Sequence, residues 1–384
     1  MSKLRFIHFV IDDKFINDSI KCFEESNLTI NYFYIVTNGV SEFQFIKSSK
    51  VQKVSKEEAL GIICADNSCD VLCLHSLISL PYDLIVKIPS YIKVIWYAWG
   101  FDLYSNPKPI GPLLNIGERY MNQTKQIIPK ESFNFFVKKR LKNILSKING
   151  TYISKDIICS AIRRIDYFSG VFPIEYDMLL EQCPYFRAKR IVHNYIHPNE
   201  FKLEDMNQPL DLNGHNILLG NSATYYINHV DLLDKIKNQV GSTTLVITPL
   251  SYQGSPQYIR KVIKFGVKCF GDNFKPLISY LTFDEYTKVI KSCDTLILGQ
   301  KQQAATCNCL TSLWNGLKLY LPSDSMNYKF YKSLGLKVFS LDEFDNNFQL
   351  SYKDVIQNRV IIEKYYSYRA WKKDLEDSIK ILTS

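Results

Sequence analysis

The apolar positions of the chain fall into two alternating series. In the first, residues 5–10, 31–36, 71–75 and 93–99 are short runs rich in Ile, Val, Leu, Phe and Tyr, which predict strands. Residues 14–25 and 56–66 lie between them with apolar side chains at helical spacing. Strand-like runs return at 166–172 and 190–193. Alternation of this kind predicts a parallel sheet covered on both faces. The polar stretch 206–214 interrupts it and reads as a linker. A second series then predicts strands at 216–219, 244–248, 267–270, 295–298, 318–321 and 337–339. Its helices are expected at 229–239, 256–265, 283–293, 309–315 and 327–333, and a last helical pattern spans 353–381.

The expected fold class is α/β, with two Rossmann-like, doubly wound parallel-sheet domains facing a cleft. They span residues 1–205 and 215–352, and residues 353–384 are expected to pack back on the first domain. Ligands of such sheets bind at the carboxyl ends of the strands. With 384 residues the chain is long enough for two cores, and 46% hydrophobic with 22% charged residues excludes a disordered chain. Ten cysteines lack C-x-x-C or zinc-ligand spacing, which predicts reduced, buried thiols in a cytoplasmic protein. Neither a signal peptide nor a membrane-spanning segment is expected, since the longest uncharged stretch, 238–259, is polar.

Charge changes the picture in one place. Twelve basic and three acidic residues lie between Tyr104 and Ile165, so this window carries the entire net charge of +9. Within it, Phe133, Val137, Leu141, Ile144 and Ile148 recur at helical spacing among Lys138, Lys139, Arg140, Lys142 and Lys147. A basic amphipathic helix over 131–148 suits an anionic membrane surface. A solvated face packed on its own domain is the rival reading. Nucleic-acid binding is not expected, because no recognisable nucleic-acid module accompanies the patch.

Three clusters carry candidate chemistry. The strand 216–219 runs into Gly220, Asn221 and Ser222, where close backbone approach and free N–H groups suit a diphosphate. A plain tight turn has the same pattern. The strand 295–298 leads into Lys301, Gln302 and Gln303 and then Thr306 and Asn308 at a helix start. There a lysine can neutralise phosphate and the amides can bond sugar hydroxyls. In the first domain Trp96, Trp99 and Asp102 close a strand, as an aromatic sugar pocket with a base for an acceptor hydroxyl. A bulky core corner with Asp102 as a cap is the alternative. His75 and Asp13 end two other strands at the same level and are the second and third base candidates. No D-x-D motif occurs, which argues against a carboxylate-held metal, and no cofactor is expected.

At these residues the chain resembles the bacterial 4-acetamido-4,6-dideoxygalactose transferases of enterobacterial common antigen assembly, glycosyltransferase family 56. The matching pieces are Trp96 to Tyr104 (W-x-x-W-G-x-D-L-Y), the strand ending in His75, and Leu219 to Ser222 with Asn228 and His229. Phe283 and Tyr286 with Cys293 and Asp294, and Lys301 to Gln303, complete the set. It departs from the family at Ala304 and Cys307, where glycine is frequent, at Asp12 and Asp13, and in a longer insert over 107–155. The resemblance implies the GT-B layout, a TDP-sugar donor and a polyprenyl-diphosphate-linked acceptor at the cytoplasmic membrane face. The expected activity is hexosyl transfer from a TDP- or UDP-sugar to a lipid-linked saccharide. A sugar-nucleotide epimerase, or a non-catalytic membrane-associated sugar-binding protein, are the alternatives.

Overall fold

The computed structural model describes residues 3–13, 15–37, 39, 42–65, 69–105, 110–128, 153–192, 198 and 214–383. The expected basic helix over 131–148 and all of the expected linker except Gly214 lie outside these residues. The chain groups into two compact units. One comprises Met1–Asn115, Glu131–Glu200 and Tyr368–Ser384, the other Ile116–Lys130 and Phe201–Ser367.

Among the described residues, the first unit holds a seven-stranded sheet. Its strands are β1 (Leu4–Phe9), β2 (Thr29–Val36), β3 (Val51–Val54), β4 (Val71–His75), β5 (Lys93–Tyr97), β6 (Tyr167–Ser169) and β7 (Lys189–Arg190). They lie in the order β3-β2-β1-β4-β5-β6-β7 and every pair is parallel. The central strand β4 is buried at all five positions, which is why it reads as an unbroken apolar run. The edge strand β7 is exposed at both of its residues. Between β3 and β4, the helix Lys56–Cys64 starts in a reciprocal cap. Ser55 Oγ accepts from Glu58 N at 3.1 Å, and Glu58 Oε2 accepts from Ser55 N at 2.7 Å.

The second unit holds a six-stranded parallel sheet, ordered β10-β9-β8-β11-β12-β13. Its strands are β8 (Asn216–Leu219), β9 (Val246–Pro249), β10 (Phe274–Leu277), β11 (Cys293–Ile297), β12 (Lys318–Leu321) and β13 (Phe339–Ser340). Each sheet winds outward from its first strand, then crosses back and winds the other way. The order therefore reverses between β1 and β4 in one unit and between β8 and β11 in the other. In open α/β sheets these reversal points leave a crevice at the strand carboxyl ends. The fold is thus two Rossmann-like units.

The strand β3 and the helices Tyr82–Lys87, Lys155–Arg164 and Pro173–Gln182 were not foreseen, and two expected elements take another form. Residues 267–270 form no strand: they are the last turn of the helix Pro256–Phe270, and the strand is β10. Gly266 reads as a helix breaker but is a packing device, because a Cβ there would stand 2.5 Å from the Phe274 ring. Pro276 disguised β10, and it is tolerated because β10 is an edge strand that pairs only with β9. The expected single helix at the C-terminus is two, Tyr352–Tyr366 and Tyr368–Thr383, broken at Ser367 in an extended conformation (φ −69°, ψ 160°). The first belongs to the second unit and the second to the first unit. There Trp371, Leu375 and Ile379 are buried, and Lys93 Nζ donates to the Leu382 carbonyl at 2.6 Å. All ten cysteines are free thiols, seven of them buried. No helix among the described residues is long and apolar enough to cross a membrane.

Gly266 gives a test against helix propensity. Alanine in a helix interior gains about 1 kcal/mol over glycine. Forcing a methyl against a buried ring costs about 1–3 kcal/mol. Gly266→Ala is expected to lower unfolding free energy by about 1 kcal/mol in urea titration; a stabilised variant would show that Phe274 moves aside freely.

Candidate active site

The loops that follow β8 and β11 meet at the reversal point of the second sheet. Gly220 takes φ +82°, and a Cβ on it would lie 2.8 Å from His229 Nε2, so this position admits glycine alone. Its N–H donates to the Ile297 carbonyl at the end of β11. Gly299 is equally confined, since a Cβ there would stand 2.3 Å from the Ile227 carbonyl oxygen. Asn228 joins the two loops. It is wholly buried in the left-handed region (φ 60°, ψ 38°), and its Nδ2 donates to the Gly299 carbonyl at 2.8 Å and the Tyr226 carbonyl at 3.0 Å.

Around this junction sit the expected donor residues. Ser222 is buried, with its hydroxyl 3.0 Å from Thr224 Oγ1. Asn221 Oδ1 is buried and has no hydrogen-bond partner among the described residues, and neither does Oε1 of the fully buried Gln300. Lys301 Nζ pairs with Asp324 Oδ2 at 2.6 Å. Gln303 Nε2 donates to Thr306 Oγ1 at 2.9 Å. Thr306 opens the helix Thr306–Trp314, whose N-cap Ala305 is left-handed (φ 58°) and supplies no side-chain cap. Asn308 turns away to other work, donating from Nδ2 to the Tyr286 hydroxyl at 2.7 Å.

A segment distant in sequence completes the rim. Ile116–Lys130 belongs to the second unit although it interrupts the first. Its helix Asn122–Ile127 is held at the start by Asp231, which accepts from Gln123 N and Thr124 N, both at 2.8 Å, and from Thr124 Oγ1 at 2.6 Å. At the end, Lys261 Nζ donates to the Ile127 carbonyl at 2.8 Å. A carboxylate at the N-terminus and an ammonium at the C-terminus suit the helix dipole. Asn228 fixes the approach as well, accepting from Met121 N at 2.9 Å and donating to the Arg119 carbonyl at 3.3 Å. The Arg119 guanidinium donates to Gln302 Oε1. Neither Arg119 nor Gln300 was among the expected site residues; Arg119 carries no local signal, while Gln300 sat inside the noted loop.

The first unit's candidates lie at the carboxyl ends of β1, β4 and β5. Asp102 is fully buried and four donors surround it. Ser76 Oγ reaches Oδ1 at 2.7 Å, while Leu77 N, Trp99 N and Trp96 Nε1 reach Oδ2 at 3.1, 3.1 and 3.2 Å. Burial pushes its pKa up to about 6 against these hydrogen bonds. Ser76 takes φ 97°, so Asp102 braces a strained turn directly after His75. Asp102 thus presents no surface to an acceptor. Trp96 is likewise a core residue, its ring edge-on to Phe168 at 5.1 Å, so the expected sugar-stacking face is closed. Trp99 sits at the core margin, 6% exposed, beside Phe15.

His75 is buried in a relay. Asn31 Nδ2 donates to the Phe23 carbonyl and Thr29 Oγ1, which turns its Oδ1 toward His8 Nε2 at 3.1 Å. His8 Nε2 therefore carries the proton, and His8 Nδ1 accepts from His75 Nε2 at 3.0 Å. Burial lowers the His8 pKa to about 3, so the ring is neutral. Asp13 is half-exposed and accepts from Phe15 N at 3.1 Å. Its neighbour Asp12 accepts from the backbone N–H groups of Gln44, Phe45 and Ile46, which draw its pKa down against partial burial and anchor that loop.

Residues 175–326 match the family described as 4-alpha-L-fucosyltransferase, glycosyl transferase group 56. Over that segment the chain is similar to the family-56 glycosyltransferases. The match contains the Gly220–Ser222 and Lys301–Gln303 loops, while His75, Trp96 and Asp102 precede it. The whole chain is also similar in fold to solved structures, a glycosyltransferase among them. The lipopolysaccharide outer core galactosyltransferase WaaB is 12% identical, with 99% of each chain covered and a TM-score of 0.58. A structure described as "Trehalose-6-phosphate from E. coli bound with UDP-2-fluoro glucose" is 10% identical, with 99% of each chain covered and a TM-score of 0.59. The N-terminal domain of a Candida albicans trehalose-6-phosphate phosphatase is 9% identical, covering 100% of this chain and 98% of its own, with a TM-score of 0.63. At such identities the likeness establishes two Rossmann-like domains of the GT-B type.

His229, under the Gly220 loop, makes the site sensitive to acid. Its Nδ1 bonds the Tyr258 hydroxyl at 3.1 Å, and burial lowers its pKa to about 3, outweighing the hydrogen bond with the Ser222 backbone. A base with a depressed folded-state pKa gives full stability above its unfolded value of about 6.5 and loses it as pH falls toward 3. Between pH 7 and 4.5 a His229→Gln variant is expected to lose on the order of 2 kcal/mol less stability than the parent. Equal losses in urea titrations at the two pH values would show that burial does not depress the His229 pKa.

Proposed function

We propose that this glycosyltransferase moves a hexose, of the amino-deoxy kind its resemblance implies, from a TDP- or UDP-sugar to a polyprenyl-diphosphate-linked saccharide. The carrying observation is the reversal point of the second sheet. Two glycines there have no room for a Cβ, and two buried amide oxygens, Asn221 Oδ1 and Gln300 Oε1, have no donor among the described residues. A buried acceptor left unpaired costs about 1–3 kcal/mol. Donors on a ligand, such as sugar hydroxyls or a base N–H, remove that cost. In this reading the backbone beside Gly220, Asn221 and Ser222, the Lys301 ammonium and the first turn after Ala305 stabilise the departing diphosphate. Gln302, Gln303 and Thr306 shape the loop that carries them. The UDP-sugar in one similar fold supports a nucleotide-sugar donor here.

The acceptor falls to the first unit, where Asp13 takes the role of base. Of the three candidates it alone is half-exposed; Asp102 and His75 are buried. In an inverting transfer, the Asp13 carboxylate accepts the hydroxyl proton as the acceptor oxygen bonds the sugar carbon and the diphosphate oxygen leaves. Asp102 acts as a positioning residue for the His75 turn. The basic pattern over 131–148 supports peripheral docking at an anionic, cytoplasmic membrane face.

Two outcomes test this reading. TDP or UDP at 100 times its Kd stabilises the folded protein by ~2.7 kcal/mol and raises its melting temperature; absence of any shift with either nucleotide would remove the donor site. Asp13→Ala is expected to lower turnover about 100-fold or more at unchanged melting temperature. Asp102→Ala instead strands four buried donors and lowers the melting temperature itself. Full turnover in Asp13→Ala would return the base to His75.

A further inference from the structure

The donor site is short of local positive charge. A diphosphate carries two or more negative charges, yet the loop from Gly220 to Asn228 contains no Lys or Arg. Lys301, on the opposing loop, already has Asp324 at 2.6 Å. The fold brings a second cation from elsewhere. The segment 116–128 is clamped to this unit by Asp231 and Lys261 and drawn against both site loops by Asn228. That clamp places the Arg119 guanidinium on Gln302, four residues before the helix Thr306–Trp314. The one acid beside it in sequence, Glu118, is occupied by Lys125 at 2.9 Å. The field of Lys301 also reaches Glu118 and, after Lys125, helps draw its pKa down, so the segment and the Lys301 loop share one charged rim.

We propose that Arg119 binds the sugar-bearing phosphate of the donor's diphosphate, together with Lys301; this rests on the nucleotide-sugar reading above. The guanidinium offers five donors in a planar fork, so it holds Gln302 with one N–H and a phosphate with others. Gln302 is then the residue that aims the fork. The sequence separation between Arg119 and the loops it serves also gives the arrangement a purpose. The chain that leaves the first unit after β5 is pinned to the donor site before it returns to β6.

The test compares the mono- and diphosphates of thymidine and uridine by isothermal titration on the full chain, for the parent, Arg119→Gln and Arg119→Lys. The ratio of monophosphate to diphosphate Kd isolates the second phosphate. Arg119→Gln is expected to weaken the diphosphate about 10-fold or more while leaving the monophosphate within about twofold, collapsing that ratio. Arg119→Lys, which keeps the charge but not the fork, is expected to fall between. An unchanged ratio in Arg119→Gln overturns the assignment. So does an equal loss for both nucleotides with a lowered melting temperature, which would make Arg119 a structural pin for its segment. If the parent itself binds neither diphosphate, the donor reading fails first, an outcome separate from either of these.

Discussion

One buried carboxamide sets the geometry of the second unit. Asn228 accepts from Met121 N and donates to the carbonyls of Gly299, Tyr226 and Arg119. Three chain segments, far apart in sequence, are thereby held in register by a single side chain. The left-handed backbone at Asn228 is what turns the amide back toward the strand ends, and asparagine tolerates that conformation better than most residues. Aspartate has no donors for the three carbonyls and glycine has no amide at all. The tight approaches at Gly220 and Gly299 follow from this clamp, since both loops are pulled together until only a hydrogen fits between them.

The sheets were legible because their central strands are buried on both faces and so read as unbroken apolar runs. Legibility failed where one residue type serves two physical ends. Gly266 signals a break by propensity but serves close helix–strand packing, and Pro276 signals a non-strand but sits on an edge where no amide is needed. The loops after β8 and β11 were legible as polar residues following apolar strands. The chemistry of Asp102 was legible too, but its environment was not: a carboxylate near two tryptophans looks the same in sequence whether it faces an acceptor or is sealed beneath the indoles. Arg119 left no trace of its place, because the contact with Gln302 spans 183 residues and depends on the clamp rather than on local pattern.

The two units share a winding yet differ in electrostatics. In the first unit His8, Asp102 and Glu175 are buried and held toward neutrality, whereas Asp12 after β1 is held charged. Burial lowers the His8 pKa to about 3 and raises those of Asp102 and Glu175 to about 6 and 7, the last bonded to the Tyr104 hydroxyl at 2.7 Å. At the second unit's reversal point Arg119, Lys301, Asp324, Glu118 and Lys125 form a charged rim. A glycosyl transfer divides its demands in the same way. The acceptor side handles one proton, whereas the donor side must absorb the charge that develops on a leaving diphosphate.

That division bears on why Asp102 and the relay through His8 are kept despite their cost. A buried carboxylate with a raised pKa loses stability as pH climbs from about 4 through 6, the reverse of the histidine dependence. The His8 and Asp102 trends oppose each other between about pH 4 and 6, while Glu175, also raised by burial, adds to the Asp102 side. What the buried groups gain is position. Ser76 is strained at φ 97°, and Asp102 ties both its hydroxyl and the next N–H, so the turn after β4 cannot relax without stripping a buried carboxylate of its donors. Asn31 and His8 fix the proton of His75 on Nε2 from the other side. The strand end is held at two points by groups that water does not reach, which is the rigidity a site needs if the neighbouring half-exposed Asp13 is to meet an acceptor in one orientation.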